Sequence, residues 1–188
     1  MGRPKLFDPD EAVARAMELF WDKGYSATTP QDLVDGIGIG RGSLYNAFGG
    51  KHDLYERALR RYYEHSSQWL VDVLDRPGTA RERVRGLLEE IAADPSGRGC
   101  MFVNAGMDAG GRDDVVDRLV RRGFDRLEGA LKSVIEDGQR DGEIDSGKDP
   151  LALAGLLLTT VNGLRVLTKA DRDDKRLARV VKAALDLL

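Results

Sequence analysis

The sequence predicts an all-α fold, three short helices leading into a longer helical C-terminal domain, and three observations carry that prediction. Apolar residues recur at helical spacing almost throughout, no sustained period-two alternation of β-branched residues interrupts them, and Pro and Gly fall between the periodic stretches. The 188 residues, 41% hydrophobic and 32% charged, have the balance of a globular chain able to bury a core.

The first helix is expected after Asp8-Pro9, with Asp8 as N-cap and Pro9 at the first helical position, running through Ala12, Ala16, Leu19 and Phe20 to a stop at Gly24. Thr29-Pro30-Gln31-Asp32 opens the second: a threonine cap, a proline at the first position and a carboxylate three residues on, a variant of the capping box. It reads to about Asp35. Glycines 36, 38, 40 and 42 then crowd a tight turn before a third helix, Arg41 to Phe48, ends at Gly49-Gly50. Lys51 to Leu74 is a long helix closed by Pro77-Gly78. Further helices are expected over Ala80–Ala93, Met101–Ala109, Asp113–Asp141, Pro150–Lys169 and Asp173–Leu188, separated by segments of Asp, Gly, Pro and Ser. The predicted domains are residues 1–50 and 51–188.

Composition narrows the function. Net charge is −3, yet Arg41, Lys51, Arg57, Arg60 and Arg61 outnumber Asp53 and Glu56 between positions 41 and 61, and acidic residues concentrate beyond Asp72. A single cysteine, Cys100, excludes an internal disulfide framework and cannot alone supply a structural zinc site. With no apolar run near the ~18 residues of a membrane span, and no apolar signal region after Met1-Gly2-Arg3-Pro4-Lys5, a cytoplasmic protein is expected. The two histidines, His52 and His65, sit in no metal or nucleophile motif and no phosphate loop is present, so neither enzymatic activity nor a cofactor is expected.

The run Gly36-Ile37-Gly38-Ile39-Gly40-Arg41-Gly42-Ser43-Leu44-Tyr45-Asn46-Ala47-Phe48-Gly49-Gly50-Lys51, followed by Leu54, resembles the helix-turn-helix signature of the TetR family of transcription regulators. The likeness extends upstream through Ala16, Phe20, Gly24, Tyr25, Thr28 and Thr29, covering residues 8 to 60 closely and the rest in helical layout. A short helix suits a major groove about 12 Å wide, with its N-terminal residues nearest the base edges. Arg41, Gly42 and Ser43 would read bases, arginine bidentately on guanine, while Gly42 admits close approach of the backbone. Leu44 and Phe48, four residues apart, should face the core. Tyr45 and Asn46 fall on the opposite side, where the resemblance implies contacts to phosphates or bases of the groove wall. Thr28, Thr29, Lys51 and His52 would meet phosphates, and Arg3 and Lys5 would form a basic arm. Gly40 departs from the Ser or Thr that such families often place as cap of this helix, though glycine is tolerated there.

One recognition helix offers little surface, so pairing on a two-fold operator is expected. The stretch from Leu151 to Leu167 is apolar on nearly every face, and Leu177, Val180, Val181, Ala184, Leu185 and Leu188 form a second stripe. The resemblance implies a four-helix dimer interface, for which Leu153, Leu156, Leu157, Thr160, Leu164, Leu177, Val181 and Leu185 are the candidates, with Gly155 and Gly163 allowing close approach. An effector pocket would draw on Trp69, Cys100, Met101, Phe102, Met107, Phe124 and Leu127, with Asn104, Asp108, Asn162 and Arg165 as polar groups. Cys100, in a glycine-rich helix entry beside Arg98, is a candidate sensor thiol. The resemblance thus implies a homodimeric repressor, released from a palindromic operator by a small-molecule or thiol-reactive signal that shifts the helix starting near Lys51. The competing class is a helical adaptor that binds protein without sequence-specific DNA binding.

Overall fold

The computed structural model describes residues 7–109 and 111–188, and the described residues form nine helices and no strand. Each start is set by the local chemistry. In α1 (Pro9–Lys23) the Asp8 carboxylate accepts the Asp10 N–H at 2.8 Å, and Gly24, at φ 81°, closes the helix with its N–H on the Phe20 carbonyl. A complete capping box opens α2 (Pro30–Ile37): Thr29 Oγ1 accepts the Asp32 N–H at 3.1 Å and Asp32 Oδ2 accepts the Thr29 N–H at 2.8 Å. It runs two residues beyond the expected Asp35, to a left-handed Gly38. α3 (Arg41–Phe48) follows after Gly40, which caps without a side chain.

The remaining helices are α4 (Lys51–Leu74), α5 (Ala80–Ala93), α6 (Met101–Ala109), α7 (Asp114–Arg140), α8 (Pro150–Ala170) and α9 (Asp174–Asp186). Capping acids again mark the starts. Asp113 Oδ1 accepts the N–H groups of Val115 and Val116, Asp149 accepts from Leu151, and Asp173 from Lys175 and Arg176. Those hydrogen bonds and the charge of Arg176 hold the Asp173 carboxyl below its ordinary range.

Two compact units result. The first contains the described residues up to Glu64 and Met101–Val120, the second His65–Cys100 and Arg121–Leu188, so α4 and α7 contribute to both. Within the first, Ala16, Phe20, Leu33, Ile37, Leu44, Phe48, Leu54 and Leu59 are buried. Phe20 meets Tyr55 edge-to-face at 4.9 Å, and Phe102 of α6 meets Tyr62 of α4 likewise at 4.9 Å. Gly36 packs closely, and a Cβ there would lie 2.5 Å from the Leu19 side chain, which would have to shift.

The core of the second unit joins the C-terminal half of α4 to α5, α7, α8 and α9, and includes Leu70, Leu87, Leu131, Ile135, Leu157, Leu164 and Leu185. α8 contributes a stripe of Ala154, Leu157, Val161, Leu164 and Thr168 and packs on α5 and α9. By length and composition α8 would cross a membrane, with a mean hydropathy of 1.5 over an 18-residue window. No unbroken apolar run marks it, since Thr159, Thr160, Asn162 and Arg165 interrupt the run while the mean stays high. Its packed stripe marks a core helix whose outer side is also apolar, with Leu151, Leu156 and Val166 exposed.

Candidate nucleic-acid interface

α2 packs on α3, and each buries a pair four residues apart on one side, Leu33 with Ile37 and Leu44 with Phe48. Burial of that side leaves the other outward. Arg41, Gly42, Ser43, Tyr45 and Asn46 are all exposed, with the Arg41 guanidinium 6.0 Å from the Tyr45 ring centroid. Neither Gly40 nor Gly42 has a positive φ, and a Cβ built on either would meet nothing within 4 Å. Nothing inside the chain therefore requires glycine at these two positions, in contrast to Gly38.

The flanks are more occupied than the sequence suggests. Thr29 is exposed at the start of α2, whereas Thr28 is wholly buried with its hydroxyl donating to the Gly24 carbonyl at 2.6 Å. Thr28 has no surface to offer a phosphate, and its predicted contact is corrected to a strut inside the turn. Lys51 Nζ stands 4.3 Å from the Tyr25 ring centroid, a cation–π contact, and partial burial lowers its pKa against the raising influence of Asp108 and Asp32. His52 Nε2 lies 3.1 Å from Glu56 and 3.5 Å from Asp113. Burial and the charge of Asp113 raise the pKa of Tyr25, and its backbone N–H donates to Asp108 at 3.1 Å. Sequence gave no sign of these last contacts, because 61 positions separate His52 from Asp113 and 83 separate Tyr25 from Asp108. Asp32, the α2 capping acid, also takes a hydrogen bond from Lys23 at 2.7 Å; that bond and those from Thr29 hold its carboxyl well below the ordinary range. Arg3 and Lys5 lie outside the described residues.

The other candidates divide between the units. Met101 and Phe102 are buried in the first, Asn104 is half-buried there, and Met107 is 82% exposed. In the second, Cys100 is buried, Phe124, Leu127 and Asn162 are half-buried, and Trp69 is held between the Glu90 carboxylate, 3.3 Å from its Nε1, and the Arg165 guanidinium 5.5 Å from its ring. Trp69 and Arg165 are thus brought into direct contact. Three surface grooves, of about 360, 270 and 240 Å³, are lined by none of these effector candidates. Of the eight candidate dimer residues, Leu157, Leu164, Leu177, Val181 and Leu185 belong to the protomer's own core, Leu153 and Thr160 are half-buried and Leu156 is exposed. An apolar stripe read from sequence does not tell which side of a helix faces inward.

This arrangement, an exposed polar helix carried on a compact helix-turn-helix ahead of a helical domain, is that of a DNA-binding transcription regulator. Residues 12–58 match the family described as bacterial regulatory proteins, tetR family, and residues 91–184 match the tetracyclin repressor-like C-terminal domain. The chain is 31% identical to the HTH-type transcriptional regulator YezE of Bacillus subtilis, with all of both chains covered. Identity to the HTH-type transcriptional repressor ComR of Escherichia coli is 27%, over 99% of this chain and 91% of that one. Among solved structures it is similar to a cysteine mutant of the TetR family transcriptional regulator CifR in complex with 26 base pairs of double-stranded operator DNA, at a TM-score of 0.85 and 32% identity, covering 98% of each chain. The protein belongs to the TetR family of DNA-binding transcriptional regulators.

Proposed function

We propose that the protein is a cytoplasmic homodimeric repressor that grips a palindromic operator through α3 and releases it when a small-molecule or thiol-reactive signal reaches the second unit. The observation that carries the DNA-reading part is the pair of glycines at 40 and 42, which no backbone conformation and no neighbour requires, beside exposed Arg41, Ser43, Tyr45 and Asn46. Glycine weakens a helix relative to alanine by up to about 1 kcal/mol, and the compensation here is unobstructed approach of the α3 backbone to DNA. Arg41 and Ser43 read base edges; Tyr45, Asn46, Thr29, Lys51 and His52 position the phosphates. ComR is named a repressor and CifR was solved on operator DNA, which supports extending both properties to this chain.

Pairing falls to the outer side of α8. Ala152, Leu156, Thr159, Gly163 and Val166 are all exposed, and their alternating spacing of four and three residues is that of a seam between paired helices. Leu153 and Thr160 border it. Cys100, the candidate thiol, is buried in the second unit, beside a Gly99 at φ 70°.

Selection of operator fragments with purified protein, followed by anisotropy titrations across salt, tests the reading. An enriched palindrome with a steep salt slope is expected, and Arg41→Ala should weaken specific binding by about 1 to 3 kcal/mol per half-site while leaving the melting temperature unchanged. Equal binding by Arg41→Ala, or no enriched sequence, would overturn it.

A further inference from the structure

We propose that the Asp113 carboxylate forms an internal stand-in for DNA phosphate, engaging His52 at the start of α4, with Asp108 holding the neighbouring Tyr25, and thereby sets how tightly this protein binds its operator. The two acids come from the end of α6 and the entry to α7, far along the chain from the helix-turn-helix but in the same compact unit. Asp113 Oδ2 lies 3.5 Å from His52 Nε2, while its Oδ1 is committed to capping α7 through Val115 and Val116. Asp108 Oδ2 accepts the Tyr25 N–H at 3.1 Å, the ring of that same Tyr25 carries the Lys51 ammonium, and Asp108 adds its own attraction to Lys51. Both side chains offered to phosphate at the N-terminus of α4 are thus already held near acidic groups.

The Tyr25 ring lies between the two side chains, edge-on to His52 at 6.3 Å and under the Lys51 ammonium. His52 is met by Glu56, one turn along α4, and by Asp113; Lys51 by the Tyr25 ring and the charges of Asp108 and Asp32. A helix N-terminus favours anions through its free N–H groups and its dipole, and Asp113 engages the His52 side chain that stands at that end of α4 and would otherwise turn to a DNA phosphate. Binding DNA then requires exchanging an internal carboxylate for an external phosphate, and the affinity observed is the difference between the two. The end of α6 and the entry to α7 gain in this way a direct electrostatic hold on the DNA-binding unit, so any change that draws Asp113 from His52 strengthens the grip and any that presses it closer weakens it.

The inference rests on the reading that His52 meets phosphate, and one mutant cycle separates the two. Asp113→Asn removes the charge but keeps an oxygen able to cap α7, so the fold is retained. Operator affinity is measured by anisotropy for the parent, Asp113→Asn, His52→Ala and the double variant, at low salt and at high salt. Asp113→Asn should bind about two- to fivefold tighter per half-site at low salt, a gain that shrinks as salt rises and vanishes when His52 is absent. His52→Ala alone should bind more weakly than the parent. If His52→Ala binds less tightly and Asp113→Asn does not bind more tightly, the phosphate role of His52 stands and the internal competition is refuted. If His52→Ala binds like the parent, the phosphate role itself fails and takes the inference with it. A gain in Asp113→Asn that persists without His52 would also overturn the proposal, by showing a general charge effect.

Discussion

α3 and α8 each bury one stripe and turn another outward, and they differ in what the outward stripe is made of. α3 shows an arginine, a serine, a tyrosine, an asparagine and Gly42, which with the N-cap Gly40 has open space above it; α8 shows Ala152, Leu156, Thr159, Gly163 and Val166 at the spacing of a paired seam. A polar outer face with needless glycines suits a partner that is read by hydrogen bonds and close backbone approach. An apolar outer face of small and branched residues suits a partner that is another helix. Exposure alone does not distinguish these helices. The chemistry left exposed does.

The largest effects separate the inner from the outer stripe of α8. Leu164 is fully buried and Leu156 is 44% exposed, on one helix eight residues apart. Leu164→Ala should cost about 2 to 5 kcal/mol of stability in chemical denaturation, the cost of a core cavity. Leu156→Glu should leave the protomer folded and instead convert a dimer to a monomer in sedimentation, with loss of operator binding. A Leu156→Glu protein that unfolds, or that remains dimeric, would place the seam elsewhere.

Gly42→Ala sharpens the α3 side of the comparison. The substitution should raise thermal stability by up to about 1 kcal/mol, since a helical glycine becomes an alanine with no clash, and should lower operator affinity because the added methyl stands where DNA approaches. Stability and binding moving in opposite directions is the signature to look for. Unchanged affinity would make Gly42 a bystander.

The smallest expected effect lies at the cap of α2. Lys23 and Thr29 hold the Asp32 carboxyl far below its ordinary value of 3.8, so the ionised form is favoured in the folded state. Its contribution is present above that value and fades as pH falls further, when protonation removes the charge that Lys23 and the Thr29 N–H engage. The stability difference between parent and Asp32→Asn should therefore be constant near neutrality and close in acid, as followed by denaturation at a series of pH values.

Much of this organisation was legible in the sequence, because capping and helix stops are local chemistry. Asp8-Pro9, Thr29-Pro30-Gln31-Asp32 and Asp149-Pro150 each place a side-chain acceptor beside a proline within a few residues, and the helices begin where those signals stand. The spacing of Leu44 and Phe48 likewise assigned the inward side of α3, and with it the residues left exposed. The glycines between positions 36 and 42 were visible as letters, but that Gly36 of α2 is packed against Leu19 while Gly42 of α3 faces open space required coordinates.

What tertiary structure alone decided concerns partners distant along the chain. Sequence offered Thr28 as a phosphate ligand; the fold buried it, because its hydroxyl is spent on the Gly24 carbonyl. Helical periodicity exposed two apolar stripes at the C-terminus but could not order them, since a helix with apolar residues on both its buried and its exposed side repeats them on both, and packing assigned Leu157, Leu164, Leu177, Val181 and Leu185 to the core. The meeting of Asp113 with His52 and of Asp108 with Tyr25 had no local signature at all. A cap is written within four residues of the helix it starts, whereas a contact across dozens of residues exists only once the intervening helices have packed.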